Sequence, residues 1–586
     1  MAYNYQATYK AWLAHPHDDA EIAQELAAMQ GDDAAIQEAF AAPLSFGTAG
    51  LRGHIGAGTG RMNTYTVGKV TQGLAEVVLG SGQAHRGVVV AYDSRRYSSR
   101  FALEAALTLC GNGIPVMLFD SLRPVPVLSF AIRRLHAIAG IVITASHNPA
   151  IYNGYKVYWE DGAQMPPDEA DAVMETMNAL PDFGAVKTIP EKQALADGFL
   201  RYIGPEIDDP YTQHVKALTL RMDVVKRMAG DLKIIYTPAF GAGNVPVRRV
   251  LSELGYTLRV VTEQADPNPD FPNLSAPNPQ NMEVFQLAIA IAQQEGADIL
   301  LATDPDCDRL GVAYRVGDDY HTMTGNQIGC FLLYYICQQM QSQEKLPPNA
   351  LAVKTIVSTE MARAIAHAYG VELVEVLTGF KFIAEQIKLR DESGEKAFLF
   401  GFEESFGYLA GTFVRDKDAV IAAMLMAEAA AYYKAQNQTI GDALQAMYER
   451  FGYYTEETID TVLEGLAGLR QIPVLMANVR AHAPTTLGGA AVLAIRDYQA
   501  GTRTITPAGR AAGLIEDASI MELPETNALY YELAQSGWVC VRPSGTEPKV
   551  KNYLAVRADT APAAAQAMAA LKTDYMAWIA AMRPEA

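Results

Sequence analysis

An apolar run at residues 138–143 stops abruptly at Thr144-Ala145-Ser146-His147-Asn148-Pro149. A short apolar run closed by a polar turn is predicted to be a buried strand. The same arrangement returns three times. Apolar residues precede Asp304-Pro305-Asp306-Cys307-Asp308-Arg309, Gly401-Phe402-Glu403-Glu404-Ser405 and Arg542-Pro543-Ser544-Gly545-Thr546-Glu547-Pro548. Four strands that each deliver a different polar loop constrain the chain to sheet-based domains with chemistry at the strand ends.

The spacing of the other elements fixes the kind of sheet. Strands are predicted at 87–92, 115–119 and 138–143, with helices at 100–110 and 125–135 between them. That alternation is the signature of a mostly parallel sheet. It restarts with strands at 232–237, 258–262 and 297–303, and again with strands at 350–357, 371–376 and 397–402. Beyond about residue 455 the texture changes to strands at 455–461, 537–542 and 551–556, followed by an Ala-rich helix at 561–582. Residues 1–42 are predicted to be helical and to end at Pro43. The fold class is therefore α/β, with three tandem mixed-sheet units and a C-terminal α+β domain. We expect domains at 1–209, 210–322, 323–453 and 454–586, with Asp208-Asp209-Pro210 and the polar stretch 341–349 as boundary cues. A chain of 586 residues has apolar material for several such cores.

Charge and cysteines narrow the functions. The net charge of −19 lacks the basic footprint of a nucleic-acid surface. A local group of Arg and Lys can still attract a small anion. The five cysteines are scattered and form no CxxC pair, as expected of reduced thiols in a cytoplasmic protein. No secretory leader or membrane span is predicted, and the apolar stretch 419–433 contains Glu428 and reads as a buried helix.

Asp304, Asp306 and Asp308 alternate, so in extended chain they share one face, with Pro305 and Cys307 turned away. Three converging carboxylates repel unless a cation neutralises them, and oxygen ligands favour a hard divalent ion. A calcium loop is excluded, because its sixth position is Arg309 and its twelfth Arg315. Ser146 lacks the flanking glycines of a hydrolase elbow. Beside a hard metal it suits a phosphoserine, whose about −1.5 to −2 charges the cation would offset. His147 either hydrogen-bonds that phosphate or orients the turn. Gly154 is expected in a tight turn that returns Lys156 towards the serine, as a proton shuttle or charge partner. The Gly-rich segment 46–53 carries Arg52, which can meet the same phosphate.

Arg542, Ser544 and Thr546, with the backbone of Gly545, are expected to cradle a phosphate. Glu403 and Ser405 can bind sugar hydroxyls, since a carboxylate accepts from two hydroxyls at once. Thr378-Gly379-Phe380-Lys381 and Arg415-Asp416-Lys417-Asp418 are further loop candidates, although for the second, with Lys417, a surface salt bridge is at least as good a reading.

In order and spacing these four loops resemble the α-D-phosphohexomutase superfamily, which includes phosphoglucomutases and phosphomannomutases. The resemblance spans residues 46–549. It implies four domains around a central active-site cleft, and a resting enzyme phosphorylated on Ser146. It also implies Mg²⁺ held by Asp304, Asp306, Asp308 and Ser146, and a sugar 1,6-bisphosphate as intermediate. By the same resemblance Glu403 and Ser405 read the sugar, Arg542, Ser544 and Thr546 hold the non-reacting phosphate, and Arg52, His147, Lys156, Arg309 and Lys417 are basic residues of the cleft. Small-molecule sugar phosphates are the implied partners, with no nucleic acid or membrane. The helical N-terminus and Phe46-Gly47-Thr48-Ala49-Gly50-Leu51-Arg52-Gly53 are similar to the branch containing phosphoglucomutase 2 and phosphopentomutases. The expected reaction interconverts glucose 1-phosphate and glucose 6-phosphate, with a pentose phosphate as alternative. A phosphatase and a non-catalytic sugar-phosphate sensor are weaker readings, because Ser146 and the three aspartates are all present.

Overall fold

Strands with apolar residues on both faces need helices on both sides, and that requirement shapes the first half of the chain. The structure, a computed structural model, describes residues 4–45, 50–463, 465–517, 521–544 and 549–583. The chain divides into two compact units: residues 1–328 with 383–440, and residues 329–382 with 441–586.

The first unit contains two mixed sheets. One runs in the order Leu51–His54, Tyr152–Trp159, Ala139–Ile143, Val88–Tyr92, Val116–Phe119 and Leu200–Ile203. The last four are parallel to one another and the first two antiparallel. Helices Thr64–Gly80 and Ser98–Gly111 bury Val67, Val70, Leu74, Phe101 and Leu109 in its core. The second sheet follows the order Asp319–Thr322, Leu310–Val316, Ile299–Thr303, Ile234–Thr237 and Leu258–Val260. Its central strands are parallel, and Leu310–Val316 returns antiparallel after the Asp304–Asp308 loop. The hairpin Ala397–Glu403 and Gly407–Ala410 also belongs to this unit. So does the helix Ala419–Lys434, which is buried along nearly its whole length. Its Glu428, fully buried, accepts hydrogen bonds from the Leu220 and Arg221 amides, which explains a carboxylate inside an apolar helix.

The second unit holds the parallel pair Ala350–Thr355 and Glu372–Val376, and a seven-stranded antiparallel sheet from Tyr453–Val462 to Lys549–Ala558. Helix Ala561–Ala581 seats Met568, Leu571, Tyr575 and Ile579 on that sheet, as expected of an α+β domain.

Three local expectations are corrected. Gly154 lies within the strand Tyr152–Trp159, not in a tight turn. A Cβ there would come within 2.5 Å of the Thr144 carbonyl oxygen and 2.8 Å of that of Leu51, so the glycine permits close strand packing. Asp208-Asp209-Pro210 lies inside the helix Pro205–Ala217 and not in a linker. Its buried stripe Ile207, Tyr211 and Val215, at intervals of four, outweighs the hydrogen bond that Pro210 removes. The aspartate loop is a turn and not an extended segment: the Cys307 amide donates to the Asp304 carbonyl at 3.0 Å, and Cys307 has φ +52°. The three carboxylates converge because the backbone folds back on itself.

Candidate active site

The serine loop leaves a strand whose residues, Ala139–Ile143, are all buried. Ser146 is 2% exposed and has φ +52°, a left-handed conformation uncommon for a non-glycine residue. Its Oγ donates to Asp304 Oδ2 at 2.8 Å and lies 3.2 Å from His147 Nδ1. The first and second of the predicted loops therefore meet directly.

The aspartate loop is anchored through its backbone. The Ala242 amide donates to the Pro305 carbonyl, the Val125 amide to that of Asp306, and the Ala419 amide to that of Cys307. Asp304 Oδ1 accepts from the amides of Asp308 and Arg309. The three carboxylates are buried, with one oxygen from each within 4.8 Å of the others. Among the described residues, Asp306 Oδ1 and Asp308 Oδ1 have no hydrogen-bond donor. Two orphaned carboxylate oxygens in a buried oxygen-only group fit a hard divalent cation. The chain thus has a site suited to binding a metal.

Two lysines face the same group. Lys156 Nζ lies 2.9 Å from Asp306 Oδ2 and 3.5 Å from Asp308 Oδ2. Lys417 Nζ lies 3.2 Å from Asp308 Oδ2 and 3.1 Å from Asp416 Oδ1. Burial alone would lower the Lys156 pKa, but Asp306 and Asp308 outweigh it and keep the side chain an ammonium. Burial, then Asp306 and Asp308, pushes the Asp304 pKa well up, so the negative charges of the triad oppose one another where no cation is bound. Desolvation, followed by Arg309, Arg52, Arg95 and Lys156, drives His147 well below the ordinary histidine range, leaving a neutral ring at neutral pH.

Other candidates join this cluster. Arg52 sits on the strand Leu51–His54 and donates to Asn148 Oδ1 at 3.0 Å, although residues 46–49 of its loop lie outside the described residues. Arg309 Nε is 3.9 Å from Asp308 Oδ1. Glu403 ends its strand almost buried, and Ser405 is half-buried in the following turn. Lys417 and Glu403 meet over Gly407, where a Cβ would fall 2.1 Å from Lys417 Cδ and 3.0 Å from Glu403 Oε1. The surface reading of Lys417 is thereby excluded. Gly407→Ala should push the lysine aside and lower kcat by about 10²-fold, the cost of displacing a site group by roughly 1 Å, with little loss of Tm. A variant with wild-type kcat would show that the lysine position is unimportant.

The remaining candidates lie in the second compact unit. Thr378 and Gly379 occupy the turn before the helix Phe380–Ser393. Arg542 is on the strand Trp538–Pro543 with its guanidinium 6.0 Å from the Tyr553 ring centre, and the Ser544 amide donates to the Lys549 carbonyl. Gly545 and Thr546 lie outside the described residues.

Asp416, in the same loop candidate as Lys417, is buried and not a surface charge: it accepts from Tyr158 Oη at 2.7 Å and Gln164 Nε2 at 3.2 Å while holding Lys417. Sequence reading missed the buried pair Asp93 and Arg95. The run Asp93-Ser94-Arg95-Arg96 directly follows a predicted strand, the same signal that marked the other loops.

Comparison with known proteins agrees with this arrangement. The family models for phosphoglucomutase/phosphomannomutase α/β/α domains I, II and III and for its C-terminal domain match residues 43–182, 209–317, 324–451 and 478–572. The chain is 37% identical over 525 residues to a phosphoglucomutase of Staphylococcus epidermidis, covering 89% of this chain and 92% of that protein. It is 35% identical over 530 residues to one of Staphylococcus aureus, covering 90% and 92%. Among solved structures, the fold is shared with the open form of parafusin, a phosphoglucomutase of Paramecium, at TM-score 0.67 and 17% identity, covering 92% of this chain and 95% of that one. It is also shared with a family protein of Burkholderia thailandensis, at TM-score 0.63 and 19% identity, covering 92% and 98%. The chain belongs to the phosphoglucomutase/phosphomannomutase family.

Proposed function

We propose that this protein is a phosphoglucomutase that interconverts glucose 1-phosphate and glucose 6-phosphate through a phosphoserine at Ser146 and a sugar 1,6-bisphosphate. The observation that carries this reading is the contact of Ser146 Oγ with a buried aspartate triad, two of whose oxygens have no hydrogen-bond donor among the described residues. Identity of 35–37% to curated phosphoglucomutases along most of the chain supports it.

Asp304, Asp306, Asp308 and an oxygen of the phosphoserine are assigned to hold Mg²⁺. When bound, Mg²⁺ would supply positive charge to the phosphoryl group in transfer. In the first half-reaction the C6 hydroxyl of glucose 1-phosphate attacks phosphorus. The new O6–P bond forms as the Oγ–P bond of Ser146 breaks, and the bonding pair returns to Oγ. Lys156 and Arg52, the candidates for a base, are an ammonium held beside Asp306 and Asp308 and a guanidinium, so they act as charge partners and the hydroxyl proton passes to an oxygen of the transferring phosphoryl group. In the second half-reaction Ser146 Oγ attacks the phosphate on C1, and glucose 6-phosphate leaves with the electron pair on O1, which takes up a proton. Lys156, Arg52, Arg309 and Lys417 bind and neutralise the transferring group, and the neutral His147 ring is assigned to hydrogen-bond it. Glu403, Ser405, Thr378 and Gly379 are assigned to the sugar. Arg542, Ser544, Gly545 and Thr546 are assigned to the phosphate that is not reacting.

We keep the domain limits 1–209, 210–322, 323–453 and 454–586 as part of this reading. The cysteines are all buried free thiols, in keeping with a cytoplasmic location. No helix among the described residues is long and apolar enough to cross a membrane.

The deciding measurement compares kcat/KM for glucose 1-phosphate and ribose 1-phosphate in one preparation with Mg²⁺, since that ratio defines specificity. Glucose 1-phosphate should be preferred. Glu403→Gln should lower kcat/KM about 10- to 100-fold, the range of about 1.5–3 kcal/mol for a charge-assisted hydrogen bond. A preference for the pentose would overturn the substrate, and release of phosphate without isomerisation would overturn the reaction.

A further inference from the structure

Both backbone groups of Ser146 lead to one buried ion pair. Its amide donates to Thr144 Oγ1 at 2.8 Å, and Thr144 Oγ1 donates in turn to Asp93 Oδ2 at 2.6 Å. Its carbonyl accepts from Arg95 Nη2, and Arg95 Nε is 3.4 Å from Asp93 Oδ2. The circuit therefore runs from the serine amide through Thr144, Asp93 and Arg95 back to the serine carbonyl.

The same guanidinium holds the rest of the loop. It donates to the carbonyls of Asn148, Pro149 at 2.9 Å and Tyr152 at 3.0 Å. Four carbonyls across seven residues thus converge on one side chain whose surface is fully buried. A planar fork of donors can serve them together, and a lysine ammonium cannot. The Phe271 ring lies 5.0 Å from the guanidinium carbon. Phe271 is buried and belongs to a loop of the second sheet region, so Arg95 also packs against residues outside the serine loop's own sheet. Asp93 is itself held by the Ser98 hydroxyl at 2.7 Å and the Arg95 amide at 2.9 Å.

We propose that Arg95 is the positioning residue that fixes Ser146 in its left-handed conformation, with Oγ aimed at the aspartate triad. This rests on the reading of Ser146 as the phosphoryl carrier. Arg95 touches no reacting atom. It acts through the loop carbonyls, and a sparsely populated backbone conformation persists only where its surroundings over-determine it.

The test measures single-turnover phosphoryl uptake at Ser146 from glucose 1,6-bisphosphate by intact mass, alongside steady-state kinetics with Mg²⁺. Arg95→Lys should slow uptake and kcat by about 10²-fold while KM for glucose 1-phosphate changes less than about twofold. Added guanidinium ion should restore part of kcat in Arg95→Ala. Thr144→Val, which cuts the amide arm and leaves Arg95 in place, should slow uptake in the same direction, and it serves as the readout if Arg95→Ala does not fold. A wild-type uptake rate in folded Arg95→Lys, with no rescue by guanidinium, would overturn the positioning role and leave the phosphoserine reading intact. A wild-type protein that takes up no phosphate at Ser146 would overturn both.

Discussion

Ser146→Ala should abolish isomerisation, with kcat falling on the order of 10⁴–10⁶-fold, the scale seen when a covalent nucleophile is deleted. The alanine fits the space, because the serine is buried and, among the described residues, its Oγ makes polar contacts with Asp304 and His147 alone. The variant should therefore fold and still bind metal. Incubated with glucose 1,6-bisphosphate, wild-type protein should gain one phosphate that peptide mapping places on Ser146, and the variant should gain none. Retained activity in Ser146→Ala, or a single phosphate mapped elsewhere, would refute the phosphoserine mechanism.

Asp306→Asn should be nearly as damaging, for a different reason. Loss of a second-shell partner already costs about 10–100-fold in metal affinity, and Asp306 offers an oxygen directly to the site. In wild-type protein, Mg²⁺ at 100 times its Kd should stabilise the fold by about 2.7 kcal/mol. That rise in Tm should vanish in Asp306→Asn, a readout independent of turnover. Chelation should likewise abolish wild-type turnover, and Mg²⁺ should restore it. Full activity in chelator-treated wild-type protein, or an unchanged Mg²⁺-dependent rise in Tm in the variant, would remove Asp306 from the metal site.

Strand-to-loop boundaries were legible because each is a local change from apolar to polar. The helix predicted at 125–135 occupies Val125–Leu135, and the strand predicted at 138–143 occupies Ala139–Ile143. The contact of Ser146 with Asp304 was anticipated on charge grounds alone, since a phosphoserine and three aspartates need a shared cation. What escaped depends on distant neighbours. Gly154 reads as a turn residue until the Thr144 and Leu51 carbonyls are known to press on it. Pro210 reads as a break until the stripe Ile207, Tyr211 and Val215 finds its buried seat. Asp416 looks like a surface charge until Tyr158, 258 residues earlier, donates to it. No local pattern encodes such pairings.

The placement of helix Ala419–Lys434 sets an order of events during synthesis. The first compact unit is interrupted: it closes only when residues 383–440 join residues 1–328. At about 5–20 residues per second, a ribosome needs roughly 5–20 s to add the hundred or so residues between those points. Through that interval the nascent chain already contains the serine and aspartate loops, but lacks the helix whose Ala419 amide holds Cys307 and whose Glu428 caps Leu220 and Arg221. The apolar seat of that helix stands open meanwhile, and exposed apolar surface of this kind is what makes a partly folded chain prone to aggregate.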